Sequence, residues 1–136
     1  MQQITYISTA REEPTPVQIE SILSASRRNN LRDGLSGLLL CGGRRFLQVL
    51  EGPEAELAKA YARIKGDERH FALVELSRQA IAERSFPGWE MGFQPGASAE
   101  GFEDLVAIVT RMTETVDDPS LRAHLRGFAE LHARAA

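Results

Sequence analysis

The 136-residue chain has little cysteine, little net charge and no long apolar run. Cys41 is the only cysteine, which excludes an intrachain disulfide and favours a reducing compartment. A net charge of −3 argues against a nucleic-acid binder, which needs a basic surface. No apolar run reaches the ~18 residues of a membrane span, and no basic segment followed by an apolar one marks a signal peptide. We therefore expect a cytoplasmic protein that binds neither nucleic acid nor membrane.

The motifs of common enzymes are also missing. The chain has no Gly-x-Gly-x-x-Gly after a strand, no phosphate loop with a lysine and no Gly-x-Ser-x-Gly elbow. His70, His124 and His132 lack the spacing of zinc ligands, so no metal site is expected. The chain is predicted not to be an enzyme.

What the chain does have is one unusual strand, Arg45–Gly52, preceded by a Gly-Gly turn. Phe46, Gln48 and Leu50 share one face of this strand, which places a primary amide between two large apolar side chains. Burying an amide without partners costs about 1–3 kcal/mol. Gln48 must therefore find hydrogen-bond partners, or reach water from an edge strand.

Hydrophobic periodicity predicts the order β-α-β-β-α-β-β followed by two helices, which is an α+β, ferredoxin-like arrangement with two helices on one face of the sheet. The first helix is expected to start at Thr15-Pro16 and to end near Asn29-Asn30, and the second to open at Gly52-Pro53. The predicted domains are 1–95 and a helical extension, 96–136. The predicted strands and tail helices are Gln2–Ser8, Leu35–Cys41, Arg45–Gly52, Phe71–Ser77, Ala80–Phe86, a strand carrying Trp89, Met91 and Phe93, then helices Phe102–Thr115 and Pro119–Arg134.

Several polar residues allow both a structural and a ligand-binding interpretation. Asn29 and Asn30 suit a helix C-terminus, and equally the carbonyl and ring nitrogen of a heterocycle. Arg63 and Asp67, four residues apart, form either an exposed pair or a contact with a polar ligand. Tyr6 is either a core tyrosine or a phenol directed at the same site as Gln48.

Taken together, these residues resemble the BLUF family, the flavin-binding blue-light sensors. The resemblance covers Gln2 to Phe93 and lies in five ordered segments. They are Tyr6 in the first strand, Asn29-Asn30, Phe46-Leu47-Gln48-Val49-Leu50-Glu51-Gly52, Arg63-Ile64 with Asp67 before Arg69-His70, and Phe86-Pro87-Gly88-Trp89-Glu90-Met91.

The resemblance implies a non-covalently bound flavin, FAD with FMN or riboflavin as alternatives. Its ring would lie between Ile22 and Ile64, and Asn29, Asn30, Arg63 and Asp67 would hold its polar edge. Gln48 would sit between Tyr6 and the flavin. The photoactive residues would be Tyr6, Gln48, Met91 and Trp89.

The same resemblance implies how the sensor works. After excitation an electron and then a proton would leave Tyr6, Gln48 would rearrange, and the changed hydrogen bond would shift the absorption to the red. The strand of Trp89 and Met91 would carry the signal outward. The helical tail would pack on the face of the sheet away from the flavin and support a homo-oligomer, and a separate downstream protein would receive the signal.

Two other functions are compatible with a ferredoxin-like scaffold. A small hydrolase would use Asn29 and an arginine around an anion, but the glycine-rich cradle for that anion is missing. A light-insensitive interaction module would have no need of Tyr6, Asn30 and Gln48, and all three are present.

Overall fold

The structure, a computed structural model, describes residues 1–89, 92–94, 109–110 and 113–133. Five strands, three helices and one short 3₁₀ turn lie within these ranges. In chain order they are β1 (Gln2–Ala10), α1 (Pro16–Asp33), β2 (Ser36–Gly42), β3 (Arg45–Gly52), α2 (Glu54–Lys65), β4 (His70–Ala80), β5 (Gly92–Gln94), the 3₁₀ turn (Thr113–Thr115) and α3 (Pro119–Ala133).

The five strands form one sheet in the order β4-β1-β3-β2-β5. β1 pairs antiparallel with both β3 and β4, β2 pairs antiparallel with β3, and β5 lies parallel to β2. The predicted α+β, ferredoxin-like fold is confirmed. In the β1–β3 register Tyr6 lies directly opposite Gln48, so both side chains point to the same face.

Two separate apolar cores lie on the two faces of this sheet. The first is shared with α1 and α2 and contains Ile4, Tyr6, Leu23, Leu35, Leu39, Leu50, Leu57, Ala60 and Tyr61. The second is shared with α3 and contains Leu38, Leu40, Leu47, Val49, Phe86, Val109, Val116, Leu121, Leu125, Phe128 and Ala129. The C-terminal helix therefore covers the face opposite to α1 and α2.

Helix α1 starts where the sequence predicts and ends later. Thr15 and Gln18 form a capping box, with the Gln18 N–H donating to Thr15 Oγ1 (3.2 Å) and the Thr15 N–H donating to Gln18 Oε1 (2.9 Å). The predicted end at Asn29-Asn30 is wrong, because the helix continues to Asp33 and stops at Gly34, whose φ is +71°. Glycine adopts this left-handed conformation at less cost than asparagine, so Asn30 stays inside the last turns.

The predicted strand Ala80–Phe86 is also wrong. β4 runs without interruption to Ala80, and the chain then leaves the sheet and forms no strand between 81 and 89. The backbone N–H groups of Ser85 and Phe86 donate to the Glu51 carboxylate (2.9 and 2.8 Å) instead of pairing with a strand. The Glu51 side chain thus accepts hydrogen bonds that the predicted strand would have made to a neighbouring strand.

The two predicted tail helices have different outcomes. The predicted helix Phe102–Thr115 lies largely outside the described residues. The predicted helix at Pro119 is confirmed as α3, and Asp118 caps it as expected, since Asp118 Oδ1 accepts from the N–H groups of Ser120 (2.9 Å) and Leu121 (3.3 Å).

Candidate ligand-binding cleft

A cleft of about 550 Å³ opens along one end of the first core, within the usual volume range of small-molecule sites. β1, β2 and β3 form its floor, and α1, α2 and the loops beside them form its walls. The lining residues are Tyr6, Ser8, Ala10, Arg11, Glu12, Pro14, Gln18, Ser21, Ile22, Ser26, Leu39, Phe46, Gln48, Ile64, Asp67, Arg69 and His70.

Tyr6 and Gln48 meet at the base of this cleft. The Tyr6 hydroxyl donates a hydrogen bond to Oε1 of Gln48. Tyr6 is only 2% exposed, and burial, with a smaller contribution from the nearby Tyr61 phenol, raises the pKa of Tyr6 far above its ordinary value. Tyr6 is therefore a neutral phenol and a hydrogen-bond donor at any physiological pH.

The Tyr61 ring of α2 packs against the Tyr6 ring. The two ring centroids are 5.4 Å apart and the ring planes are tilted by 50°, a favourable geometry for aromatic pairs. Lys65 and Arg78 lie over the Tyr61 ring at 4.8 and 5.4 Å, and the Tyr61 hydroxyl shares a hydrogen bond with Glu75. These contacts fix the orientation of the ring against which Tyr6 packs.

Three polar side chains after α2 line the opposite part of the cleft. Asp67 accepts hydrogen bonds from Arg69 Nε (3.0 Å) and from the Arg69 backbone N–H (2.9 Å), and these bonds lower the pKa of Asp67. His70 Nε2 lies 2.6 Å from the carbonyl oxygen of Ile64, so this nitrogen carries the proton and donates. His70 Nδ1 is buried and has no hydrogen-bond partner among the described residues.

Apolar side chains complete the cleft. Ile22 enters from α1 and Ile64 from α2, and both are partly buried. A flat, largely apolar ligand with one polar edge fits such a lining, because the walls offer apolar contact while Arg69, Asp67 and His70 offer charge and hydrogen bonds.

The structure does not bring every residue named by the resemblance to the cleft. Tyr6, Ile22, Gln48, Ile64 and Asp67 line it.

Arg63, Asn29 and Asn30 do not line the cleft. Arg63 is exposed, and its charge lies near Asp33. The hydrogen bond from Arg32 is the main cause of the lowered pKa of Asp33, and the Arg63 charge lowers it further. Asn29 is partly buried on α1, and buried Asn30 borders a separate hollow of about 180 Å³.

Trp89 lies at this second hollow too, and not in the larger cleft. Its side chain is 39% exposed, and its ring packs on Phe86 at a centroid distance of 5.7 Å. Its carbonyl oxygen accepts from the Gly37 N–H (2.8 Å), which ties the segment before β5 to β2. Met91 lies outside the described residues.

Arg69 and His70 are lining residues that the sequence-based site prediction omits. Both stand in the quoted segment around Asp67, but the four-residue spacing of Arg63 and Asp67 favoured Arg63. Side chains two residues apart, such as Asp67 and Arg69, do not face each other on a helix. Their ion pair forms because α2 ends at Lys65 and the chain turns there.

Within the described ranges, no group of three or more His, Cys, Asp or Glu side chains is arranged to hold a metal ion. Nor does any described helix combine the length and apolar character needed to cross a bilayer.

Fold and cleft together define a class of small α+β domains with a cleft between a sheet and two helices. The family model described as "BLUF: Sensors of blue-light using FAD" matches residues 1–92. This chain belongs to the BLUF family, and the matched region is a blue-light flavin sensor domain rather than an enzyme.

Relatives support the same assignment. The Escherichia coli (strain K12) "Blue light- and temperature-regulated antirepressor BluF" is 37% identical over 83 residues, which are 61% of this chain and 21% of that protein. "Photoactivated adenylate cyclase subunit beta" of Euglena longa is 32% identical over 84 residues, 62% of this chain and 10% of that protein. This chain thus spans about a fifth of the first relative's length and a tenth of the second's. The dark-state structure of the BLUF protein BlrB superposes with a TM-score of 0.73 at 28% identity, covering 96% of both chains.

Proposed function

We propose that this protein binds a flavin non-covalently in the cleft and signals through a light-driven rearrangement of the hydrogen bonds of Tyr6 and Gln48. One observation carries the proposal: the buried Tyr6 phenol donates to a glutamine amide that lines a cleft of ligand size. An amide ends in one acceptor and one double donor, so turning or tautomerising it rewires its bonds without large movement.

The cleft residues fit the proposed cofactor. Ile22 and Ile64 would contact the two faces of the ring, and Arg69 and His70 would hold a polar part of the ligand. His70 Nδ1 is buried without a hydrogen-bond partner among the described residues, which supports a polar ligand atom there. Asn29, Asn30 and Arg63 stay candidates for the ring's polar edge, proposed from the family resemblance. FAD is the proposed flavin, after the family description, with FMN and riboflavin as alternatives.

The bound flavin would supply light absorption and an excited state that accepts an electron. Tyr6 would be the donor of that electron, and its hydroxyl proton would then leave along the hydrogen bond to Gln48. Because the pKa of Tyr6 is raised, the phenol does not lose this proton in the dark. Gln48 then rearranges, and return of the proton and electron to Tyr6 restores the phenol while the amide keeps its new hydrogen bonds.

The output is proposed to be a protein–protein interaction. The matched region is a sensor domain, and two similar proteins are a blue light-regulated antirepressor and a photoactivated cyclase subunit. We propose that this protein acts in the cytoplasm as a homo-oligomer and passes its signal to a separate partner, with the sequence segment of Trp89 and Met91 on the route.

Flavin binding itself is tested by titrating the flavin-free protein with FAD, FMN and riboflavin and following quenching of flavin fluorescence. The proposal expects saturable binding of one flavin per chain. Because the cleft offers contacts mainly to a ring, the three flavins should bind with affinities within about tenfold of each other. A protein that binds none of the three would overturn the proposal.

A further inference from the structure

Glu51 is a fully buried carboxylate three residues after Gln48 on the same strand, and the cleft does not use it. Successive side chains of a strand alternate, so Gln48 faces the cleft and Glu51 faces the α3 side. Burying an unpaired carboxylate is very costly. A buried carboxylate therefore needs a compensating set of hydrogen-bond donors, and the structure provides one around Glu51.

Four hydrogen bonds satisfy the Glu51 carboxylate. Oε1 accepts from Gln3 Nε2 (3.0 Å) and the Ser85 N–H (2.9 Å), and Oε2 accepts from Ser36 Oγ (3.0 Å) and the Phe86 N–H (2.8 Å). Two of the donors belong to the segment 81–89, which has no strand pairing of its own. Glu51 therefore holds this segment, and with it the Phe86 ring of the second core, directly to β3.

A second branch runs from Glu51 to the start of α3. Gln3, which bonds to Glu51, accepts through Oε1 from Gln79 Nε2 (3.2 Å). The same Gln79 nitrogen donates to Oδ2 of Asp118, and Asp118 Oδ1 caps the first turn of α3. The hydrogen bond from Gln79 is the largest cause of the lowered pKa of Asp118.

The side-chain NH₂ groups of Gln3 and Gln79 each donate two hydrogen bonds already. Gln3 Nε2 donates to both Glu51 and Ser85 Oγ (3.1 Å), and Gln79 Nε2 donates to both Gln3 and Asp118. A displacement of the Glu51 carboxylate cannot be absorbed by turning either amide, because any turn breaks a bond at its other end.

We propose that Glu51 is a positioning residue that couples the Gln48 strand to the segment 81–89 and, through Gln3 and Gln79, to the N-terminus of α3. A shift of β3 caused in the cleft then changes the capping of α3 on the far side of the sheet. The light-dependent part of this coupling rests on the proposed function, whereas the coupling in the dark does not.

The dark coupling is tested by amide hydrogen exchange on Glu51→Gln. The NH₂ group of glutamine would face groups that now donate to a Glu51 oxygen, so the hydrogen bonds at the centre of the network would be lost. We expect exchange of the Ser120 and Leu121 amides to accelerate about tenfold relative to the amides of β1, because they depend on the Asp118 cap. The exposed Glu83 in the same segment provides the matched control, and Glu83→Gln should leave these amides unchanged.

Gln79→Leu keeps Glu51 satisfied and removes the link to Asp118, so it serves if Glu51→Gln does not fold. It should accelerate the same two α3 amides and leave those of Ser85 and Phe86 unchanged. Unchanged exchange at Ser120 and Leu121 in the folded variants would overturn the inference.

Illumination extends the test without mixing the two proposals. Gln79→Leu should keep the light-induced absorption shift and lose most of any light-induced change in α3 exchange seen in the wild type. A wild-type response of α3 in Gln79→Leu would overturn the coupling. A wild type without an absorption shift would instead refute the proposed function, and the dark experiment would still decide the role of Glu51.

Discussion

Tyr6 and Gln48 face each other across the β1–β3 pair, and the phenol of one donates to the amide oxygen of the other. The bond lies at the base of the cleft, where burial keeps the phenol protonated. Both residues stand on central strands of the sheet, so neither can move away without breaking ladder bonds on both sides. The position of this bond leads to the first prediction.

Tyr6→Phe should abolish the reversible light-induced absorption shift while the protein still folds and binds flavin. The ring and its packing on Tyr61 remain, and loss of one hydrogen bond should cost about 0.5–1.5 kcal/mol of stability. Light-minus-dark absorption spectra and urea unfolding measure the two effects. Tyr61→Phe removes a hydroxyl from the neighbouring ring and is the matched control. A wild-type shift in Tyr6→Phe would contradict the role of the phenol.

Arg69→Ala should weaken flavin binding at least tenfold, and by more than Arg63→Ala does. Arg69 lines the cleft and holds Asp67, while Arg63 is exposed on α2 and acts on Asp33. A charge-assisted contact is worth about 1.5–3 kcal/mol, which corresponds to a tenfold change or more. Fluorescence titration with FAD compares the two variants. The opposite ranking would make Arg63, and not Arg69, the stronger contact with the flavin.

The stability of the protein should fall with acid partly because of Asp67. The Arg69 hydrogen bonds lower the pKa of Asp67 in the folded state below its unfolded value of about 3.9. This contribution is present above the unfolded pKa and is lost as the pH falls through the lower, folded pKa. Asp67→Asn should therefore flatten the pH dependence of the urea midpoint below about pH 4. An unchanged slope would show that the pair contributes nothing.

Gly37→Ala should be severely destabilising. A Cβ at this position would lie 1.9 Å from the carbonyl oxygen of Val49 on β3, a backbone atom that cannot move aside. We expect a loss of about 3 kcal/mol or more, or no folded protein. Gly127→Ala is the matched control, because a Cβ on this exposed α3 residue meets nothing and should stabilise by about 0.5–1 kcal/mol. Equal effects in thermal unfolding would contradict the close approach of β2 and β3.

The sequence predicts most of the fold because its local signals agree with the final packing. The capping box at Thr15 and the Asp118 cap are local, and both are confirmed. The end of α1 is missed because Asn30 and Gly34 are both acceptable stop signals, and the lower cost of glycine at positive φ decides between them. The strand expected at 80–86 fails for a non-local reason, namely the distant Glu51 carboxylate, which no periodicity reveals.

The site residues also separate into those that local sequence signals predict and those that depend on non-local contacts. Tyr6 and Gln48 follow from strand alternation once β1 and β3 are adjacent. The pairing of Asp67 with Arg69 depends on the path of the chain after α2 ends, and helical spacing indicates Arg63 instead. The position of Trp89 depends on a contact that is distant in the chain, the hydrogen bond from the Gly37 N–H to the Trp89 carbonyl oxygen, and local patterns do not reveal it.

The most direct test of the Tyr6–Gln48 switch compares light-minus-dark absorption spectra of flavin-loaded wild type and Gln48→Leu. Leucine has a similar size and cannot exchange hydrogen bonds with Tyr6. We expect a small reversible red shift in the wild type that decays in the dark, and none in Gln48→Leu at equal flavin content. A red shift of wild-type size in Gln48→Leu would show that the glutamine amide is not the switch.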